Sequence, residues 1–168
     1  MNNTQTARWI SKGSSRKVRG SKLNDYLHRL KQEGLSLIIL KGGQPIFMSD
    51  EEGLRPLFDV INSSGLTLLE DTVVVDKLVG KAAALLISYF MAKEVHCIVL
   101  SMTAKEVLEH HGIRHYWETL TPMILNRTGT GICPFEKAVM GVDDPRTAYE
   151  RVGSTLKSLG ILPNGDGG

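Results

Sequence analysis

Two short blocks hold residue types and spacings able to do chemistry. The first is Asp76-Lys77-Leu78-Val79-Gly80-Lys81-Ala82-Ala83-Ala84, which follows the strand-like run Thr72-Val73-Val74-Val75. Read locally, it opens an apolar helix over 77–92 with Asp76 as its N-cap. Lys77 and Lys81 then share one helix face. Lysines in a first helical turn oppose the macrodipole. An anion held between them and the free N–H groups would turn that conflict into a binding determinant. Gly80 leaves room for the close approach of a ligand or another backbone. The plain alternative is two solvated lysines whose stems lie on a buried helix.

The second block is Asn126-Arg127-Thr128-Gly129-Thr130-Gly131-Ile132-Cys133-Pro134-Phe135-Glu136-Lys137. Cys133 stands where a capping box carries Ser or Thr, with Pro134 at the first helical position and Glu136 at the third. A thiol there would feel the helix field, with Arg127 and Lys137 adding positive charge, and become a nucleophile. Asn126 to Gly131 form a glycine-rich loop whose amides can turn toward phosphate or carboxylate. The loop completes neither a P-loop nor a dinucleotide fingerprint. The alternative is an ordinary connector with a buried capping thiol. Cys97, inside a strand, reads as core.

The histidines offer little. His110, His111 and His115 lack a helical i, i+4 pair with an adjacent glutamate, because Gly112 breaks the helix between them, and no metal site is expected. His96 is expected at a strand end and His28 on a surface helix.

The elements that must position these blocks follow from periodicity. A helix starts at Ser21 with Leu23, Tyr26, Leu27 and Leu30 on one face, and Gly34 stops it. Leu35 to Leu40 and Pro45 to Met48 make a hairpin about Gly42-Gly43. Ser49 to Glu52 cap a helix carrying Leu54, Leu57, Phe58 and Ile61. Leu66 to Val75 reads as extended. After the helix over 77–92 come a strand from His96 to Leu100, a helix from Thr103 to His111, and a strand from Ile113 to Trp117. A loop over 119–132 leads to the short helix at Cys133. A last helix, started by Asp143-Asp144-Pro145, carries Ala148, Val152 and Leu156. Strands alternating with helices predict a three-layer α/β/α sandwich, mixed because of the hairpin.

The 168 residues suit one domain over 21–160, between an arm at 1–20 and a tail at 161–168 that both read as flexible. Residues 1–22 hold six basic side chains and no acid, leaving 14 basic and 18 acidic groups for the rest. The arm carries no aromatic interleaving, so nucleic acid is not an expected partner. Two distant cysteines form no disulfide framework, and no signal or membrane-spanning pattern occurs. A cytoplasmic setting is expected.

From Leu23 to Leu159 the element order resembles the cytidine-deaminase-like fold. The two blocks quoted above are similar to those of a family of uncharacterised prokaryotic proteins assigned to that fold. Zinc deaminases need H-x-E and P-C-x-x-C; here Asp76-Lys77 and Ser101-Met102-Thr103-Ala104-Lys105 stand in those places, so zinc deamination is not expected. The resemblance puts Asp76, Lys77, Lys81, Arg127 and Cys133 forward as pocket residues. Three readings follow. One is a cofactor-free binder of an anionic small molecule, such as a nucleotide or nucleoside derivative, with Gly80, Lys81 and the loop from Asn126 to Gly131 around it. Another is an enzyme with Cys133 as nucleophile and Lys77 or Asp76 moving protons. The last is a homodimeric interaction module.

Overall fold

The structure, a computed structural model, describes residues 21–164, with side chains from residue 24 onward. The basic arm, the face position of Leu23 and the end of the tail lie outside the described residues. The chain runs α1 (Ser21–Gln32), β1 (Leu37–Lys41), β2 (Gln44–Ser49), α2 (Arg55–Ser64), α3 (Leu66–Leu69), β3 (Val73–Val79) and α4 (Lys81–Tyr89). It continues through β4 (Glu94–Ser101), α5 (Met102–His110), β5 (Arg114–Thr121), α6 (Pro134–Ala138) and α7 (Pro145–Ser158).

The five strands form one mixed sheet in the order β2-β1-β3-β4-β5. β1 is antiparallel to both β2 and β3, whereas β3, β4 and β5 are parallel. Strand alternation gives the sheet two apolar faces. Ile38, Leu40 and Val75 meet Leu27 and Leu30 of α1 on one. Leu37, Ile39, Val74, Val95 and Cys97 meet residues of α2, α4, α5 and α7 on the other. The result is the three-layer α/β/α sandwich. Each fully buried Leu contributes about 1.5–3 kcal/mol, so the continuous buried run Ala82 to Ser88 makes α4 the central helix of its layer.

Several local readings yield to tertiary contacts. Leu66–Leu69 is a helical turn, not extended chain, and Lys41 Nζ donates to the carbonyls of Leu68 (2.8 Å) and Glu70 (3.1 Å) at its end. A lysine there satisfies carbonyls that the helix leaves free. Ser49 ends β2 and does not start α2, which begins at Arg55. Ser101, not Thr103, caps α5, accepting from the Ala104 N–H at 3.0 Å. Asp144 caps α7 by accepting from Thr147 N–H at 2.8 Å, as its position before Pro145 predicts.

The largest correction concerns the first block. β3 continues through Asp76 and Lys77 to Val79, and α4 opens only at Lys81 with Gly80 at its N-cap. Asp76 pairs with Leu37 on one side and Cys97 on the other. Those ladders hold the segment extended, and they outweigh the helix-start signal of Asp followed by an apolar run. Lys77 and Lys81 therefore do not share a helix face.

Candidate functional site

The N-terminus of α4 exposes N–H groups that its own sequence cannot cap, because Gly80 has no side chain. Glu136 supplies the cap from 55 residues away. Its Oε2 accepts from Lys81 N–H at 3.0 Å and its Oε1 from Ala82 N–H at 2.9 Å. Charge-assisted bonds of this kind are about twice as strong as neutral ones. The approach is so close that a Cβ on Gly80 would stand 2.6 Å from Glu136 Oε1 and 2.8 Å from Ile124 Cγ1. Gly80 itself has φ −93° and ψ −178°, an extended conformation open to any residue. Glycine is required here for space, not for backbone freedom. Burial raises the Glu136 carboxyl above its ordinary range; the two N–H donors and Lys81 pull the other way.

The two helix entrances therefore meet, but through a resident carboxylate. The anion that the first entrance favours is already present as Glu136. Lys81, 18% exposed, sends its ammonium to within 3.5 Å of Asp143, which is 91% exposed. That loose pair is worth little and leaves the ammonium open to a better partner.

Cys133 is the N-cap of α6, as expected, yet the capping box does not close. Its N–H donates to Ile124 O at 3.0 Å, and Glu136 turns away to α4. Burial raises the thiol pKa first, and the negative Glu136 adds to this against the pull of nearby N–H groups. The expected activation of Cys133 by the helix field is thus reversed. Alkylation of Cys133 by iodoacetamide is expected to stay slow at neutral pH and to accelerate only above about pH 9, the range where an unactivated thiol ionises. A pH–rate profile by mass spectrometry checks this, and a midpoint below about 7.5 would restore the nucleophile reading.

The glycine-rich loop spends the N–H groups of Asn126, Gly129 and Thr130 on itself. Asn126 Oδ1 accepts from Thr130 N–H and from Thr128 Oγ1, both at 3.0 Å. Asn126 N–H donates to Gly131 O, Gly129 N–H donates to Asn126 O, and Thr128 and Thr130 share a hydroxyl contact at 2.7 Å. Leu125 and Ile132 bridge at its base. Arg127 is exposed on this loop.

Asp76 is the remaining chemical group. It shares a row with Leu37, Cys97 and Trp117 on the sheet face that carries α4. Its Oδ1 accepts from Leu78 N–H at 3.1 Å, so it is a cap of its own strand and not of α4. Burial outweighs that bond and raises the carboxyl from 3.8 to about 7. Among the described residues no cation lies within ion-pair distance of it. Alternation sends Lys77 to the opposite face; its charge and N–H pull the Asp76 pKa down without forming an ion pair, and burial outweighs them.

His96 is fully buried in the middle of β4 and does not face the strand end. Its Nε2 lies 2.6 Å from Glu94 Oε1. Glu136 also acts as a long-range cap, a role that local residue spacing does not show. Its one signal was a glutamate three residues after a helix start, which points to a local bond that the protein does not make. Among the described residues no cluster of three or more His, Cys, Asp or Glu has metal-holding geometry. None of their helices is long and apolar enough to cross a membrane.

Comparison with known proteins bears on this geometry. A family model described as a domain of unknown function, DUF1893, matches residues 26–156. The crystal structure of a DUF1893 family protein (TM1506) from Thermotoga maritima superposes with a TM-score of 0.71 at 29% identity. The match covers 86% of this chain and 96% of that one. No curated protein matches the chain. The matched segment holds both blocks, the resident carboxylate and the whole sheet. The chain belongs to the DUF1893 family.

Proposed function

We propose that this domain is a zinc-free, deaminase-like binder of a small molecule, a nucleotide or nucleoside derivative. Its ligand lies along the carboxyl-terminal half of β3, between Asp76 and the start of α4. Crevices at the carboxyl ends of parallel strands are the usual ligand sites of open α/β sheets. The observation that carries the reading is Asp76: a carboxyl kept in the sheet with no cation in ion-pair contact among the described residues, its pKa moved to about 7. A strongly perturbed group of this kind marks candidate functional sites. Ionised, it accepts from the N–H and amino donors of a base; protonated, it donates to a ring nitrogen or carbonyl. Asp76 and Gly80 stand about 13 Å apart along the strand, a reach that suits an extended ligand. Lys81 meets the anionic end of the ligand there, in exchange for its weak contact with Asp143.

The test is a thermal-shift and calorimetric panel of nucleosides and nucleotides on the wild type, Asp76→Asn and Lys81→Ala. A ligand of this class is expected to raise the wild-type Tm, with affinity changing across about pH 7 as Asp76 titrates. Asp76→Asn is expected to weaken binding at least about tenfold, and Lys81→Ala to weaken the phosphorylated ligands selectively. A panel without a shift, or equal affinities in wild type and Asp76→Asn, would remove the proposal.

A further inference from the structure

We propose that His96, with Glu94 and Arg114, forms an acid-responsive latch beneath α1, in which protonation of the imidazole releases that helix from the sheet. His96 is fully buried, and its ring stacks on Tyr116 with centroids 4.7 Å apart and planes 8° from parallel. It pairs across the sheet with Val75, which packs against Leu27 and Leu30 of α1. Nε2 lies 2.6 Å from Glu94 Oε1, and the other carboxylate oxygen of Glu94 lies 3.2 Å from Arg114 Nη2. Nδ1 is buried and, among the described residues, has no hydrogen-bond partner.

This arrangement distinguishes the two protonation states of the ring. In the neutral ring Nε2–H donates to Glu94, and Nδ1 leaves only an acceptor lone pair unmet. Protonation adds an N–H at Nδ1 that finds no acceptor, a costly state for a buried donor. It also adds a second cation beside Glu94, whose charge Arg114 already shares. Among the described residues the remaining charged groups on this face offer no relief. By alternation Lys77 of β3 lies on this face and adds no acceptor, Glu118 of β5 is taken by Lys31 of α1 at 2.7 Å, and Arg29 of α1 is paired with Glu33 at 2.8 Å. His28 of α1 is exposed. Burial accordingly holds the His96 pKa below its ordinary 6.5, with Glu94 opposing that shift and Arg114 reinforcing it.

The sign of the linkage follows. An opened form takes up the proton more readily than the packed one, so the docking of α1 is complete above pH 6.5 and weakens as pH falls below it. α1 takes no part in the sheet's ladders. Among the described side chains it is held by Leu27, Leu30, the Lys31–Glu118 pair and the bond from Tyr26 Oη to Gly43 O. It can therefore lift without unpairing a strand.

Native-state hydrogen exchange on the full chain tests the latch. Between about pH 7.5 and about pH 5, after correction for intrinsic rates, the α1 amides are expected to lose at least about tenfold protection while β1 and β4 keep theirs. In His96→Gln that difference is expected to vanish. Equal α1 protection at both pH values, the same pH response in His96→Gln, or loss in every element together would overturn the latch. Should His96→Gln fail to fold, an NMR titration of the wild-type imidazole decides the matter. Protonation of His96 in step with loss of α1 protection supports it, and protonation with α1 still docked overturns it.

Discussion

Asp76→Asn is expected to make the protein more stable at pH 8 and to leave its stability nearly unchanged below about pH 4. The carboxyl moves from 3.8 in a solvated chain to about 7 in the folded protein, with burial the leading cause. Folding then favours the protonated form. The stability that Asp76 allows is fully present below 3.8 and is lost as pH rises through about 7. Each unit is worth 1.36 kcal/mol, so the full charge penalty at alkaline pH is at most about 4 kcal/mol. Asparagine retains an oxygen for the Leu78 N–H, 3.1 Å away in the wild type, and carries no charge to desolvate. A gain of about 2–4 kcal/mol at pH 8 is therefore expected, shrinking toward zero in acid. Urea denaturation of both proteins at several pH values checks it. A variant that is less stable at pH 8, or a difference that ignores pH, would show that Asp76 does not carry a buried charge. Retaining a destabilising carboxyl is the pattern of groups kept for function, so the stability gain and the loss of ligand response should appear together in one variant.

The clasp between Glu136 and α4 predicts a second large effect. Glu136→Ala leaves the Lys81 and Ala82 N–H groups without acceptors and is expected to cost about 3 kcal/mol. Gly80→Ala reaches a similar cost by another route. The new methyl cannot coexist with an oxygen at 2.6 Å and a carbon at 2.8 Å. It must expel the carboxylate or displace Ile124, at about 1–3 kcal/mol for overpacking plus the lost bonds. The two substitutions destroy the same contact, so the double variant is expected to cost less than the sum by over about 1 kcal/mol. Strict additivity in chemical denaturation would show that Gly80 and Glu136 act independently. Glu136→Gln keeps one acceptor and should fall between wild type and alanine.

Much of the architecture is legible in local pattern. The apolar spacing of Leu27 and Leu30 gives α1, Gly42-Gly43 gives the hairpin, and Asp144-Pro145 gives the start of α7. These signals work because each side chain reports on its own turn or its own strand. The segment from Asp76 to Lys81 misleads for the converse reason. Whether Asp76-Lys77 extends a strand or opens a helix depends on Leu37 and Cys97, which lie far away in the chain and have no local signature. The thiol of Cys133 is a similar case: burial and the charge of Glu136 both raise its pKa, and neither is a property of the loop.

The order of apolar and polar residues was enough to determine five strands, most of the helices and the layers they build, though not the short helix α3 or the start of α4, since burying each amphipathic face admits few arrangements. Only the folded chain decided the chemistry. It put a carboxylate 55 residues distant onto two backbone N–H groups, held Asp76 and Lys77 in an extended strand, and sealed His96 beneath a helix. Electrostatics act through space and depend on burial, and neither distance through space nor burial is written in the spacing of residues along a chain.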